Sequence, residues 1–395
     1  MLCACAGCAV PSDPGSASGA EDPVSSAPSA DNDASQTEEP ADAENPSPAD
    51  GDGGAVWSAS LRELMGKPVR AGNIALAGDG TVYAILEEFN EDNTYSTLPY
   101  LISYDPAAGE VTPVGWDAAH VGRFTVLEDG RLGVLADPGD GLRLMRLRLY
   151  SDVSDVSPVI TCSDGETAVA AGYDFYCCND RETGDLALYD LATGTATVIC
   201  PGDGAGTRKA IAYYLSPGGR YAVYFKFQDG LLDCDTAYLY NAETGVETAY
   251  PLPVVESTAR SSRAIAGVGD TVYFFESDSG QGGLTDRCWR VKDGGELEEL
   301  TLPFQYRNGS GSIETTNAII LTDDLYSVRE AEISSVYIID EDGKVYVADY
   351  KVPAGHWLAD AAVSGEQLVL AVYEGGHSVD DSVYYLIETG FSKIG

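Results

Sequence analysis

Basic residues are scarce in this sequence. It contains 23 Lys and Arg against 63 Asp and Glu, which gives a formal net charge of −40 over 395 residues. Nucleic acids and anionic bilayer surfaces are bound through clustered Lys and Arg side chains. The composition therefore excludes a nucleic-acid-binding protein and a protein that associates with a membrane through a charged face. The excess acid favours solubility or a cationic partner.

Histidine and the motifs of common enzyme classes are also scarce. His120, His356 and His377 are the only histidines, and they occur in unrelated contexts. A Ser/His/Asp or Cys/His constellation thus has few candidates. The sequence has no G-x-S-x-G elbow, GxxxxGK[ST] loop, HExxH motif or EF-hand run. We predict no catalytic residues, no metal site and no cofactor, with Ca²⁺ as the one candidate ion. Because 63 acids supply many carboxylate pairs, a glycan-active hydrolase or lyase stays open as an alternative.

Long apolar runs and helical periodicity are missing as well. No run of about 18 apolar residues offers a transmembrane helix, and no segment sustains a 3.6-residue period. One short helix is predicted in "SASLRELMG", residues 58–66, capped by a serine and ended by a glycine. The 44% hydrophobic residues must therefore be distributed mainly over strands.

Three of the nine cysteines lie at the start of the chain, in "MLCACAGCAV". "LCAC" and "CAGC" resemble the bacterial lipobox, in which a cysteine takes a diacylglycerol and becomes the mature N-terminus. The resemblance implies lipidation of Cys5, which Leu2 favours, or of Cys8, which Ala6 and Gly7 favour. Residues 1–8 are then expected to be the remnant of a lipoprotein signal, whose basic and apolar regions would precede them.

Residues 9–54 are rich in Pro, Ser, Ala and acid. They contain eleven Asp or Glu, no Lys or Arg and no aromatic residue. Such a segment buries too little apolar surface to offset the entropy of ordering, so we expect a disordered linker. As a coil it would span about 35 to 40 Å. The rest of the chain then carries a charge of −40 + 11 = −29.

The six remaining cysteines, Cys162, Cys177, Cys178, Cys200, Cys234 and Cys288, form no C-x-x-C pair. They are expected to be buried apolar residues on strands rather than zinc ligands. A disulfide among the four from Cys162 to Cys200 is consistent with an extracytoplasmic protein, but the sequence does not give its connectivity.

Residues 55–395 repeat one phrase: an apolar strand, a turn with Gly near its end, and a second strand. The copies are "YLISYDPAAGEVTPV", "DLALYDLATGTATVI", "TAYLYNAETGVETAY", "RCWRVKDGGELEEL", "SVYIIDEDGKVYVAD" and "SVYYLIETGFSKIG". The turn glycines Gly194, Gly245, Gly294, Gly343 and Gly390 are 51, 49, 49 and 47 residues apart. The interval of 85 residues from Gly109 to Gly194 leaves room for a seventh copy, "LRLMRLRLYSDVSDVSPVI".

A second hairpin precedes each copy: "NIALAGDGTVYAIL", "RFTVLEDGRLGVLA", "AVAAGYDFYCC", "IAYYLSPGGRYAVYF", "AIAGVGDTVYFF", "NAIILTDDLYSV" and "DAAVSGEQLVLAVY". Two hairpins make a four-stranded unit of about 46 residues, the size of a propeller blade. The pattern predicts an all-β, seven-bladed β-propeller over residues 55–395, with eight blades as the alternative. "AVWSAS" is expected to add a strand to the last blade and close the ring, because "FSKIG" is short for a fourth strand.

Two hairpins resemble those of known bacterial propellers. "YLSPGGRYAVYF" is similar to the "LSPDGRxxAF" hairpin of TolB and of peptidase propellers. "LYDLATGTATVI" is similar to a turn of WD40-like and YVTN-like propellers. The resemblance covers about residues 70–395 and implies an architecture rather than an activity. The Gly-His to Trp-Asp pairing of strict WD40 repeats is missing from the sequence.

These observations favour an exported, lipid-anchored, monomeric propeller of the bacterial cell envelope that binds a protein, peptide or glycan without catalysis. A structural partner in an envelope complex is the alternative. The connections between second and third strands lie on one face of a propeller, and in this sequence they are predicted to be the longest connections, all of them acidic. Their acids form the predicted cation-binding face: Glu91, Asp92, Asp229, Asp233, Asp235, Glu276, Asp278, Asp286, Glu374, Asp380 and Asp381.

Overall fold

Antiparallel strands form nearly all of the regular structure in the computed structural model. It describes residues 54–88, 100–114, 120–127, 132–137, 143–148, 152–156, 168–170, 174–253, 264–275, 284–307, 313–315, 317–322, 333–375 and 383–394. The chain enters through β1 (Ala55–Ser60) and the short helix α1 (Leu61–Met65). Ser60 caps this helix through a bond from Glu63 N to its hydroxyl, and Gly66 ends it at φ 67°, which confirms the predicted helix.

The described residues form seven antiparallel sheets, numbered here in chain order. Sheet 1 contains β2 (Val69–Leu76), β3 (Val82–Glu88), β4 (Tyr100–Asp105) and β5 (Glu110–Val114). Sheet 2 contains β6 (His120–Val126), β7 (Leu132–Asp137), β8 (Arg143–Arg148) and β9 (Asp152–Val156). Sheet 3 contains β10 (Ala168–Val169), β11 (Phe175–Asn179), β12 (Leu186–Asp190) and β13 (Thr195–Cys200). Sheet 4 contains β14 (Ala210–Leu215), β15 (Tyr221–Gln228), β16 (Leu231–Asn241) and β17 (Val246–Pro251), with a 3₁₀ turn at Pro217–Gly219.

The remaining sheets follow the same order until the chain ends are reached. Sheet 5 contains β18 (Ala264–Val268), β19 (Thr271–Phe275), β20 (Leu284–Lys292) and β21 (Leu297–Arg307). Sheet 6 contains β22 (Ile313–Glu314), β23 (Ala318–Thr322), β24 (Val336–Asp340) and β25 (Val345–Ala348). Sheet 7 contains β26 (His356–Ser364), β27 (Gln367–Glu374) and β28 (Val383–Thr389), and the last strand of the chain is β29 (Phe391–Ile394).

Buried apolar clusters join each sheet to the next and close the sheets into a ring. Separate clusters lie between sheets 1 and 2, 3 and 4, 4 and 5, 5 and 6, and 6 and 7. Leu127 of sheet 2 packs against the cluster of Tyr176 in sheet 3. Leu386 of sheet 7 shares a cluster with Ala84 of sheet 1. Sheets that pack face to face around a circle form a β-propeller, so the predicted fold class is confirmed.

Tyrosine side chains reinforce the joint between sheets 4 and 5. The hydroxyls of Tyr214 and Tyr221 donate to the carbonyls of Gly269 and Asp293, over 2.6 and 3.0 Å. The Tyr214 ring lies so close to Gly267 that a Cβ there would be 2.2 Å from it. The phenol ends thus satisfy backbone carbonyls of the next sheet's turns while the rings fill the core.

The N-terminal strand closes the ring. β1 pairs antiparallel with β28 and becomes the fourth strand of sheet 7, in the order β1-β28-β27-β26. The Trp57 indole N–H donates to the Glu388 carboxylate across this pair. Gly54, just before the strand, is held by a bond of 2.9 Å from the Thr389 hydroxyl to its carbonyl. The predicted closure by "AVWSAS" is confirmed.

The last predicted hairpin, "SVYYLIETGFSKIG", is wrong in its second strand. β29 pairs with β25 of sheet 6 and makes a fifth strand there. Phe391 packs edge-on against Tyr346, with ring centroids 5.5 Å apart. Because β1 already covers β28, the C-terminal segment pairs with the open edge of sheet 6 instead. Each chain end therefore adds a strand to one of two neighbouring sheets.

The predicted hairpin "NAIILTDDLYSV" is also wrong. Residues 318–322 form the second strand of sheet 6, pairing with β22 on one side and with β24 on the other. The first strand, Ile313–Glu314, has two residues, too few to show as an alternating pattern. Residues 323–332 lie outside the described part of the chain.

Candidate functional site

The ring has two faces, which differ in the connections that they carry. One face, called the connection face, has the connections from the second to the third strand of each sheet and from one sheet to the next. The opposite face, called the turn face, has the turns inside both hairpins of each sheet. The predicted cation-binding acids belong to the connection face.

The structure describes five of the eleven predicted acids. These are Asp229, Asp233, Asp235, Asp286 and Glu374. The other six lie outside the described residues: Glu91, Asp92, Glu276, Asp278, Asp380 and Asp381.

The connection that contains Asp229 is much shorter than predicted. β15 continues to Gln228 and β16 begins at Leu231, so the turn is Asp229 and Gly230, at φ 51° and 79°. Two successive residues with positive φ are typical of a type I′ turn, for which Asp-Gly is a preferred pair. Asp233 and Asp235 therefore lie on a strand that projects from the ring, not in a loop. The Asp-Gly pair signals this in the sequence.

Asp233 has a structural role, unlike Asp229 and Asp235. Its carboxylate accepts the Gln228 side-chain amide at 2.5 Å and the Asp235 backbone N–H at 3.0 Å. Asp229 and Asp235 are exposed. Among the described residues nothing donates a hydrogen bond or forms an ion pair with their carboxylates. These two acids are thus available to a ligand at the tip of sheet 4.

Several polar residues on the turn face cap their own turns. Asp105 accepts the backbone N–H groups of Ala107 and Ala108, at 2.9 and 3.2 Å. Asp190 does the same in sheet 3, and Asn241 replaces the acid in the same turn of sheet 4. This cap explains the repeated Asp/Asn-x-x-x-Gly phrase, because an Asx oxygen satisfies turn amides whether or not it is charged.

Asp286 and Glu374 lie in different surroundings. Asp286 is on β20 and is half-buried. Glu374 lies at the end of β27, 3.9 Å from His356 Nε2 and 3.5 Å from the Tyr385 hydroxyl. Desolvation, with the charge of Glu374 and a bond to it, raises the pKa of Tyr385 to about 12. The five described acids thus do not form one cluster.

His356 is the residue that sequence reasoning did not place. Its side chain is 5% exposed, and its Nδ1 lies 3.2 Å from the Ala354 carbonyl oxygen. Nε2 has no hydrogen-bond partner among the described residues. The histidine joins sheet 7 to the segment that leads from sheet 6, and so little exposure makes it unsuitable for contact with a large substrate.

The cysteines follow the prediction that most are buried. Cys177, Cys200 and Cys288 are buried free thiols and Cys234 is half-buried. Desolvation raises the pKa of Cys177 and of Cys288 to about 12, which keeps both thiols protonated and unreactive. Cys178 is disulfide-bonded, and its partner lies outside the described residues.

A groove of about 310 Å³ lies between sheets 3 and 4 on the turn face. We call it the sheet 3–4 groove. Phe175 and Leu188 line it from sheet 3, and Arg220 and Glu243 from sheet 4. Its further lining residues are Asp190, Thr195, Thr197, Gly218, Gly219 and Ala242. Its volume is at the lower end of the range for small-ligand pockets.

The described residues contain no group of three or more His, Cys, Asp or Glu that could hold a metal ion. They also contain no helix long and apolar enough to cross a membrane.

No model of a known protein family matches the chain, and no curated protein matches it. A streptogramin B lyase structure is 13% identical, with TM-score 0.48, over 84% of this chain and 97% of that one. An oligogalacturonate lyase from Vibrio parahaemolyticus is 10% identical, with TM-score 0.49, over 81% and 91%. A putative TolB from Agrobacterium tumefaciens is 18% identical, with TM-score 0.36, over 72% and 96%. The fold assignment rests on the sheets and clusters described above, and no activity is carried over from these proteins.

Proposed function

We propose that this chain is an exported, lipid-anchored β-propeller of the bacterial cell envelope that binds a protein, peptide or glycan without catalysis. The binding surface is the connection face, at the tip of sheet 4. Its ligand presents positive charge, either a basic protein patch or Ca²⁺. The chain acts as a monomer and meets the membrane only through its N-terminal lipid.

One observation carries the binding part of this proposal. The carboxylates of Asp229 and Asp235 are exposed and have no partner among the described residues, whereas Asp233 between them accepts two hydrogen bonds. A surface whose carboxylates are not engaged retains its full attraction for a cationic partner.

Two features support export and anchoring. The lipobox-like cysteines Cys5 and Cys8 are followed by an acidic linker and then by the ring, the order of a tethered lipoprotein. Acyl chains contribute about 0.8 kcal/mol per buried CH₂. The disulfide of Cys178 supports export, because disulfides persist in oxidising compartments outside the cytoplasm.

Photo-crosslinking in the native envelope tests the proposal. A photoreactive amino acid replaces Asp235 in one variant of the intact chain and Glu341, exposed on the turn face, in the other. We expect an adduct of defined mass from position 235, with a yield that falls as salt is added because exposed charges are screened. Excess Ca²⁺ should compete for it. The same membrane preparation should show diacylglycerol on Cys5 or Cys8 by mass spectrometry.

Charge variants of the same chain provide the matched control. Asp229→Asn with Asp235→Lys should lower the yield from a photoreactive group at neighbouring Thr236. Glu341→Lys with Asp342→Asn, which changes the net charge equally, should leave it unchanged. Equal effects of both pairs, or an unmodified N-terminus in the soluble fraction, would contradict the proposal. A stoichiometric membrane protein in the adduct would favour the structural-partner alternative, and turnover of a glycan would favour the enzyme alternative.

A further inference from the structure

The outer edge of sheet 3 is open among the described residues. β13 is the last strand of its sheet, and no other described strand pairs with its free side. Residues 195–198 are all exposed, and the Val198 side chain is 49% exposed. An uncovered strand edge presents backbone N–H and C=O groups that another strand can bind.

The molecule itself shows that such an edge accepts a fifth strand. In sheet 6, β29 pairs antiparallel with the outer strand β25 over four residue pairs, from Ala348 with Phe391 to Val345 with Ile394. The paired segment is short and carries one lysine, Lys393. Sheet 3 has the same strand order as sheet 6 but lacks this addition.

The sheet 3–4 groove lies beside the β13 edge. Thr195 and Thr197 of β13 line the groove, so a strand added to β13 would place alternate side chains over it. Phe175 and Leu188 offer an apolar floor to the stems of such side chains.

The charges in the groove favour a basic occupant. The Arg220 guanidinium is neutralised by Asp270 at 2.9 Å and Glu243 at 3.3 Å. Asp190 forms no ion pair with the described residues, so it leaves a net negative charge in the groove. An alternation of long cationic and apolar side chains on an extended backbone fits the edge, the floor and this charge together.

We infer that β13 and the sheet 3–4 groove bind an extended, Lys- or Arg-bearing segment of a partner protein as a fifth strand of sheet 3. The site lies on the turn face and the rim of the ring, away from Asp229 and Asp235. It is therefore independent of the proposed connection-face site, and either can fail without the other.

A synthetic peptide on the intact chain tests this inference. The probe is an eight-residue peptide of alternating lysine and valine with blocked ends, and its dissociation constant is measured by calorimetry. Asp190→Asn should weaken binding about fivefold, the effect of losing roughly 1 kcal/mol from one charge pair. The turn should survive, because Asn241 caps the same turn in sheet 4. Asp105→Asn, the same change in the matching turn of sheet 1, should have no effect.

Two further measurements test strand pairing itself. Hydrogen exchange with the peptide present should slow in residues 195–200 and not in residues 246–251. A peptide of the same sequence that is N-methylated at every residue should not bind, because it has no N–H group to donate to β13. Failure of the parent peptide to bind, equal weakening by Asp105→Asn, protection on β17, or binding of the N-methylated peptide would each overturn the inference.

Discussion

Removal of residues 1–60 is expected to lower the thermal midpoint of unfolding by roughly 6 to 20 °C, whereas removal of residues 1–53 should leave it unchanged. The longer truncation deletes β1, which pairs with β28 from Ala55 to Ser60 and contributes buried Ala59 to the cluster between sheets 7 and 1. It also removes the bond from Trp57 to Glu388. Loss of a closing strand should cost about 3 to 5 kcal/mol, at roughly 2 to 4 °C for each kcal/mol in a chain of this size.

Differential scanning calorimetry of the two truncated chains and the full chain provides this comparison. The truncation to residue 53 is the matched control, since it removes the acidic linker and retains Gly54, whose carbonyl accepts the Thr389 hydroxyl. If both truncations lower the midpoint equally, the linker itself contributes to stability. If neither does, β1 does not hold the ring closed.

Thr389→Val is expected to lower the free energy of unfolding by about 2 kcal/mol. Thr389 is 1% exposed, and its hydroxyl accepts the Tyr350 backbone N–H at 3.0 Å and donates to the Gly54 carbonyl at 2.9 Å. It thus links the N-terminal segment, the end of sheet 6 and sheet 7. Valine keeps the shape but leaves a buried N–H without a partner, which costs roughly 1 to 3 kcal/mol. Urea unfolding of the purified variant measures the change.

Ser392→Ala is the control for this variant. Ser392 also bonds through its hydroxyl, to Asp349 at 3.2 Å, but it is exposed. Water replaces such a bond, so the free energy of unfolding should change by less than about 0.5 kcal/mol. A Thr389→Val variant as stable as the Ser392→Ala variant would show that the hydroxyl does not couple the chain ends.

The sequence predicts the hairpins of this ring well because their signals are local. The phrase Asp/Asn-x-x-x-Gly carries both halves of the turn, the Asx cap and a glycine at positive φ, as in Gly109 at 69° and Gly194 at 69°. The sequence predicts the fourth strand of sheet 7 indirectly, because the last repeat is too short to contain it. The segment "AVWSAS" before the first repeat supplies this strand.

Long-range pairing is what the sequence does not contain. The sequence of residues 391–394 is compatible with a strand in either sheet 6 or sheet 7. These residues pair with sheet 6 because β1 already pairs with the edge of β28. The approach of His356 to Glu374 across two strands has no sequence signal. The two-residue turn at Asp229 and Gly230 does have a sequence signal, the Asp-Gly pair. The acidic residues around this pair led instead to the prediction of a long acidic connection.

Amide hydrogen exchange of the intact chain tests the closed ring most directly. Four amides of β1, in residues 57–60, lie opposite β28 in an antiparallel ladder. We expect the amides of β1 that face β28, about half of those in residues 57–60 because alternate N–H groups of an outer strand point away from its partner, to exchange as slowly as those of β27, in the middle of sheet 7. Peptides from residues 9–53 should exchange within seconds. Exchange of residues 55–60 as fast as that of residues 9–53 would contradict a ring closed by its N-terminal strand.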